Sequence, residues 1–210
     1  MILISHGPHT ETVMIGRGSV TNFWKNVWDK KGLGDSTDLL YLDGYEHLDI
    51  PFKSPDIFKS LSSLMGLKKG DSILEVGCGC GFLAREFKEY NYVGVDYSEP
   101  IIAKHRKMFS NHAVSVSEAK VLSFPDSSFD KVFCFGLFQY LPSLSYAEEV
   151  IEEMKRVSKE IVFLGDLKDT ATRSEHLVYP KESLAEGGFS FSNCVYDAGD
   201  PHRYNALFEV

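Results

Sequence analysis

Two acids and three glycines carry the first chemical suggestion in this sequence. The stretch ILEVGCGCGFLA (73–84) runs apolar around Glu75, then places Gly77, Gly79 and Gly81 at alternate positions. Each glycine loses backbone entropy on folding, so three in alternation are expected where a ligand approaches the main chain or where φ must be positive. Further on, VGVDYSE sets Asp96 at the end of a second apolar run. A carboxylate there offers two oxygens to a pair of hydroxyls such as those of a ribose.

The turn is not built for phosphates. A dinucleotide fingerprint puts its third glycine where this chain has Phe82, and no GxxxxGK[ST] loop occurs. The one basic residue nearby is Arg85, while Glu75 at the strand end repels phosphate and attracts a cation. A positively charged nucleoside fits better than a phosphorylated one.

The elements that must hold these residues follow from hydrophobic patterning. Strands are expected at 72–76, 92–95, 113–119, 131–136 and 160–167, and helices at 82–90, 98–109 and 145–158. Ser98 caps the second of these helices, with Pro100 in its first turn. Alternation of strands and helices predicts an α/β fold with a doubly wound, mostly parallel sheet. In such sheets ligands sit past the carboxyl ends of strands where the strand order reverses, which the end of the first strand would be.

Outside this middle, SPDIFKSLSSLMGL (54–67) reads as a helix with Ser54 as cap and Gly66 as stop. FSFSNCVYDAG (189–199) and RYNALFEV (203–210) alternate like two strands of a C-terminal antiparallel hairpin. In VTNFWKNVWDKK (20–31), Trp24 and Trp28 share one helical face, as core packing or as an N-terminal helical lid. One domain is expected over 1–210: a lid and substrate region (1–54), a cofactor-binding core (55–165), and a substrate loop with the hairpin (166–210).

Composition narrows the partners. The 210 residues are 43% hydrophobic and 25% charged, with a formal charge of -8, which disfavours nucleic acid. No window approaches a membrane span and MILISHGPHTETVM lacks a signal-peptide pattern, so a cytoplasmic protein with no membrane partner is expected. Cys78, Cys80, Cys134 and Cys194 are expected reduced; no metal is expected, because CGC is not zinc-ligand spacing. KHRK (104–107) reads as a solvated helix face, with His105 and His112 at the surface.

Together ILEVGCGCG, VGVDYSE and SEAKVLSFPDSSFDKVFCFGLFQYL resemble the ordered motifs of the class I S-adenosylmethionine-dependent methyltransferases, particularly the small-molecule branch. The resemblance covers about residues 55 to 165 and implies S-adenosyl-L-methionine as cofactor. It implies that Glu75 and the backbone of Gly77, Cys78, Gly79 and Gly81 hold the methionine portion, that Asp96 holds the ribose, and that Tyr97 lies against the adenine. Glu118 with Ala119 occupies the place of the family's acid-Ala pair, where Asp is more usual. Phe135 and Trp24 complete the expected cofactor contacts. Branches that methylate amides or bases carry Asn or Asp with Pro-Pro and an aromatic where this chain has Phe135, Gly136, Leu137 and Phe138. Two histidines frequent in related small-molecule enzymes are replaced by Gln139 and Tyr140.

The reading that follows is methyl transfer to a small-molecule or carbohydrate-like acceptor, at oxygen. The alternatives are C-methylation of a quinone-like ring, or a non-catalytic cofactor-binding module. For catalysis, His176, His47, Tyr140 and Gln139 are the candidates, and an oxygen nucleophile that is not acidic needs a base. Oligomeric state is left open by the sequence.

Overall fold

The computed structural model describes residues 20–46, 53–170, 176–194 and 202–210. Its helices are α1 (Val20–Leu33), α2 (Leu39–Leu42), α3 (Ser54–Met65), α4 (Glu99–Met108), α5 (Leu144–Val157) and α6 (Lys181–Glu186). Its strands are β1 (Ser72–Val76), β2 (Asn91–Asp96), β3 (Ala113–Val116), β4 (Phe129–Phe135), β5 (Ser158–Lys168), β6 (Ser190–Asn193) and β7 (Arg203–Glu209).

The seven strands form one sheet in the order β3-β2-β1-β4-β5-β7-β6. The first five are parallel, and β7 enters antiparallel between β5 and β6. Strand order reverses between β1 and β4, so the crevice expected of such sheets opens past the end of β1. β6 and β7 are the two strands of the expected hairpin; residues 195–201 of their connection lie outside those described.

Period-two alternation sends neighbouring residues to opposite faces, and both faces are covered. Leu74, Val76, Val132, Cys134, Val162 and Leu164 pack on one side with Val150, Ile151, Met154 and Val157 of α5. Ile73, Phe133, Phe135 and Phe163 pack on the other with Ile57, Leu61 and Met65 of α3. Burial on both faces is why these strands read as continuous apolar runs. No helix among the described residues is long and apolar enough to cross a membrane.

Several local expectations are corrected. The helix anticipated over 82–90 is a single 3-10 turn, Ala84–Glu86. Phe82, Leu83, Ala84 and Phe87 are all buried, so the segment fills a pocket on more than one side instead of presenting one stripe. Its main chain is also engaged from outside, since Phe82 N–H donates to the Asp43 carboxylate. Ser54 is the first residue of α3 and not its cap; Lys53 takes the cap position. The Ser54 hydroxyl instead donates to Glu86 Oε1 at 2.5 Å and accepts from Arg85 Nε–H at 2.8 Å. The third strand stops at Val116, and Ser117, Glu118 and Ala119 turn towards the crevice. In KHRK the flanking residues face outward but His105 is fully buried, because a surface helix keeps one side on the core.

α4 begins as anticipated, with Ser98 Oγ accepting from Ile101 N–H and Pro100 in the first turn. Against it lies α1, where Ser98 Oγ donates to Asp29 Oδ1 at 2.6 Å and Lys104 Nζ donates to Ser36 O at 3.0 Å. That fastening sets α1 beside the crevice.

Candidate functional site

A cavity lies where β1, β2 and β4 end, roofed by α1 and the segment after α2. Gly77, Gly79 and Gly81 of the turn after β1 have φ of 79°, 52° and 99°, all in the region that L side chains avoid. The requirement is plainest at Gly79, where a Cβ would also collide with the Asp43 carboxylate. Gly77, Cys78 and Gly79 line the cavity. Gly81 is not among the lining residues: a Cβ there would meet the His105 ring at 3.0 Å, so its role is to let α4 approach.

Glu75, Asp96 and Asp43 bring three carboxylates to this one cavity. Glu75 Oε2 accepts from the Tyr92 hydroxyl at 2.6 Å. Asp96 Oδ2 accepts from Gly79 N–H at 3.2 Å and Oδ1 from Ser98 N–H at 2.9 Å, which leaves each oxygen further lone pairs for a ligand's hydroxyls. Asp43 Oδ1 accepts from Cys80 N–H at 2.6 Å and Oδ2 from Phe82 N–H at 2.9 Å, tying the segment after α2 to the glycine turn. Burial pushes Glu75 up to about 8, Asp43 to about 7 and Asp96 to about 6. The charges of Asp43 and Asp96 add to the rise at Glu75, that of Asp96 to the rise at Asp43, and that of Asp29 to the rise at Asp96.

Behind the turn stands His105. Its Nδ1 lies 2.8 Å from Gly79 O and its Nε2 lies 3.0 Å from His112 Nδ1. Burial pushes this imidazole down to about 4, so it is neutral, and the carbonyl partner places its proton on Nδ1. Nε2 then accepts from His112 Nδ1–H.

At the other end, Tyr97, Glu118 and Ala119 line the cavity, and Tyr146 of α5 donates from its hydroxyl to Glu118 Oε2 at 2.8 Å. Phe135, Gly136, Leu137 and Tyr140 line it from β4 and the turn that follows. Trp24 is not a lining residue. It is buried against Tyr140 (ring centroids 4.8 Å apart) and His176 (5.5 Å), while Trp28 reaches the cavity. Four residues advance a helix by about 6 Å, so two tryptophans on one face need not touch the same ligand.

Of the catalytic candidates, Tyr140 lines the cavity. Gln139 is turned inward, its Nε2 donating to Gly136 O at 3.3 Å. His176 sits behind Tyr140, 5.6 Å between ring centroids, with its Nδ1 3.4 Å from Lys168 Nζ. His47 lies outside the described residues. Asp43, Tyr45 and Tyr92 were not singled out by sequence. Each is remote in sequence from the residues it meets, and an isolated acid or tyrosine has no spacing signal.

The chemistry of the lining suits an S-adenosylmethionine cofactor. Lys25 is the one lysine or arginine among the described lining residues, and it pairs with Asp29 at 3.0 Å. Carboxylates therefore dominate, which favours a cationic ligand with free hydroxyls over a polyphosphate.

Residues 73–160 match the family model described as a methyltransferase domain. The chain is 28% identical over 130 residues to a probable methyltransferase of Aspergillus luteorubrus, covering 55% of this chain and 44% of the relative. It is 33% identical over 108 residues to a sterol 24-C-methyltransferase of Aspergillus fumigatus, covering 47% of this chain and 28% of that one. The chain thus spans less than half the length of these relatives. Phosphoethanolamine N-methyltransferase 1 of Haemonchus contortus, solved with phosphoethanolamine and S-adenosylhomocysteine, superposes with a TM-score of 0.65 over 93% of this chain and 50% of that one. At 16% identity that likeness is one of fold.

Proposed function

We propose that the chain, whose residues 73–160 match a methyltransferase-domain model, is a class I S-adenosylmethionine-dependent methyltransferase that transfers a methyl group from S-adenosylmethionine to an oxygen of a small-molecule acceptor. The observation that carries this reading is the convergence of Glu75, Asp43 and Asp96 on one cavity beside a glycine turn. The bound cofactor supplies an activated methyl on a positively charged sulfur.

The chain's own residues bind and orient. Asp96 accepts from the ribose hydroxyls, Tyr97 lies along the adenine with Glu118 held by Tyr146, and Glu75 faces the methionine ammonium. An ionised carboxylate about 4 Å from a cation contributes on the order of 1–4 kcal/mol between bulk water and a protein surface. Aromatic faces of Tyr140 and Trp28 hold the cation from the other side. Fixing acceptor and donor in line can lower a barrier by up to about 7–11 kcal/mol.

Oxygen is favoured because Phe135-Gly136-Leu137-Phe138 brings no amide-binding Asn or Asp after β4. A second reading, carbon methylation, is supported by the likeness to a sterol 24-C-methyltransferase.

Calorimetry with S-adenosylhomocysteine is the direct test, with NAD as control. Binding of the first and not the second is expected, and Asp96→Ala should weaken it by about 30-fold, as for loss of a charged hydrogen-bond pair of about 2 kcal/mol. No heat from either form of the cofactor on folded protein overturns the reading. An unchanged affinity in Asp96→Ala overturns the role of Asp96.

A further inference from the structure

The main chain of the glycine turn is gripped from two sides. The Gly79–Cys80 peptide offers a carbonyl and an N–H that point opposite ways, as in any trans peptide. The carbonyl, Gly79 O, lies 2.8 Å from His105 Nδ1 on α4, and the N–H, on Cys80, donates to Asp43 Oδ1 at 2.6 Å. One peptide earlier, Gly79 N–H donates to Asp96 Oδ2 at 3.2 Å. Gly79 therefore links two peptides: one holds the acid proposed for the ribose, and the other is tied to α4 and to the segment after α2. Rotation about the backbone bonds of this glycine turns the first peptide against the second, and no side chain of its own resists it.

His105 is built into this position. Its ring is fully buried and packs against Gly81, where a Cβ would come within 3.0 Å of both Cε1 and Nε2. Its Nε2 lies 3.0 Å from Nδ1 of His112, and the His112 ring stacks on Phe109 with centroids 4.9 Å apart. A carbonyl only accepts, so Nδ1 carries the proton of the neutral ring and Nε2 accepts from His112. The Cys78 thiol, 3.8 Å from Gly79 O, is a weak donor and no equivalent. Among the described residues neither ring has a carboxylate as hydrogen-bond partner, so the pair serves the main chain and not an ion pair.

We propose that His105, oriented by His112, is a positioning residue for S-adenosylmethionine binding: it fixes the Gly79–Cys80 peptide and, through the Gly79 backbone, the direction in which Asp96 faces the cavity. This rests on the methyltransferase reading and adds to it a residue that touches no ligand, since His105 is not among those lining the cavity. Glycines give a ligand access to the turn and also leave the turn loose. A turn that wanders must be ordered each time a cofactor binds, and that ordering is subtracted from affinity. With the carbonyl held by an imidazole and the N–H by a carboxylate, the turn is ordered beforehand. Asp43 holds it from the cavity, where the ligand arrives, and His105 holds it from the core, which a ligand does not reach.

The test is calorimetry with S-adenosylhomocysteine on the full chain at neutral pH, with chemical denaturation to read stability separately. His105→Leu fills the space without a donor and should raise the Kd at least about tenfold. His105→Asn sets an amide N–H where Nδ1–H stood and should bring the Kd back to within about threefold of wild type, even where both variants lose stability to the same extent. Ring-nitrogen NMR on the wild type needs no variant: the Nδ1–H tautomer of His105 is expected, with resonances that move when S-adenosylhomocysteine saturates the site. A wild-type Kd in His105→Leu overturns the proposal, as does equal weakening in the two variants, which assigns the effect to ring volume. An Nε2–H tautomer, or resonances unmoved at saturation, overturns it even if neither variant folds. Wild-type protein that binds no S-adenosylhomocysteine is a different result and removes the methyltransferase reading itself.

Discussion

Asp43 accepts a 2.6 Å hydrogen bond from the main-chain N–H of Cys80, and so ties the segment after α2 to the turn after β1 across 37 residues of sequence. Its second oxygen takes Phe82 N–H, so both oxygens of one carboxylate are committed to the same turn. The residues roofing the cavity and the residues flooring it are thus joined at one side chain.

Asp43→Ala should therefore loosen both. Losing two charge-assisted bonds is expected to lower the unfolding free energy by about 2–4 kcal/mol and to weaken S-adenosylhomocysteine binding by at least about tenfold. Asp43→Asn keeps one acceptor oxygen and should fall between. Chemical denaturation and calorimetry read both numbers. A variant with wild-type stability and affinity would show that the tie holds nothing.

The three acids predict a pH dependence of ligand choice. Their folded values of about 6, 7 and 8 stand above unfolded values of about 4. Each such group stabilises the free protein fully below the unfolded value and loses that contribution as pH rises through the folded one. A cation in the cavity favours the ionised forms and offsets the loss. S-adenosylmethionine, with its charged sulfur, should gain affinity relative to S-adenosylhomocysteine between about pH 5.5 and pH 8.5. Thermal shifts for both ligands across that range provide the measurement; parallel curves would contradict it.

His105 has the opposite sign. Its folded value of about 4 lies below the ordinary 6.5, so its contribution is present above the unfolded value and lost as pH falls towards the folded one. His105→Ala leaves Gly79 O without its imidazole donor and should cost about 1–3 kcal/mol at neutral pH. The gap between wild type and variant should narrow as pH drops from about 6.5 to about 4. A gap that is constant across this range would mean that the ring acts through packing alone.

Much of the frame was legible because its signals are local. The strand at 72–76, the Ser98-capped helix, the antiparallel ending and the position of Glu75, Gly77, Gly79 and Asp96 around one crevice all follow from runs, caps and turns a few residues long. The failures have a physical pattern. Helical spacing at Phe82, Leu83 and Phe87 arises equally when a non-helical loop is buried on several sides, so periodicity misreads it. His105 looks solvated inside KHRK because a helix shows its charges on one face and hides the residue between them.

What the chain's order of residues determined by itself was the parallel sheet, its reversal point and the acid-flanked glycine turn, since each depends on backbone preferences and burial within one strand-turn-helix unit. What only the tertiary structure decided was the company those residues keep. Asp43 at Cys80, His105 at Gly79, Tyr92 at Glu75 and Asp166 beside Gly136 are separated by 37, 26, 17 and about 30 positions, and nothing local encodes such meetings. They form because the packed sheet brings strand ends together, and a buried polar atom must then find a partner wherever the fold has placed one.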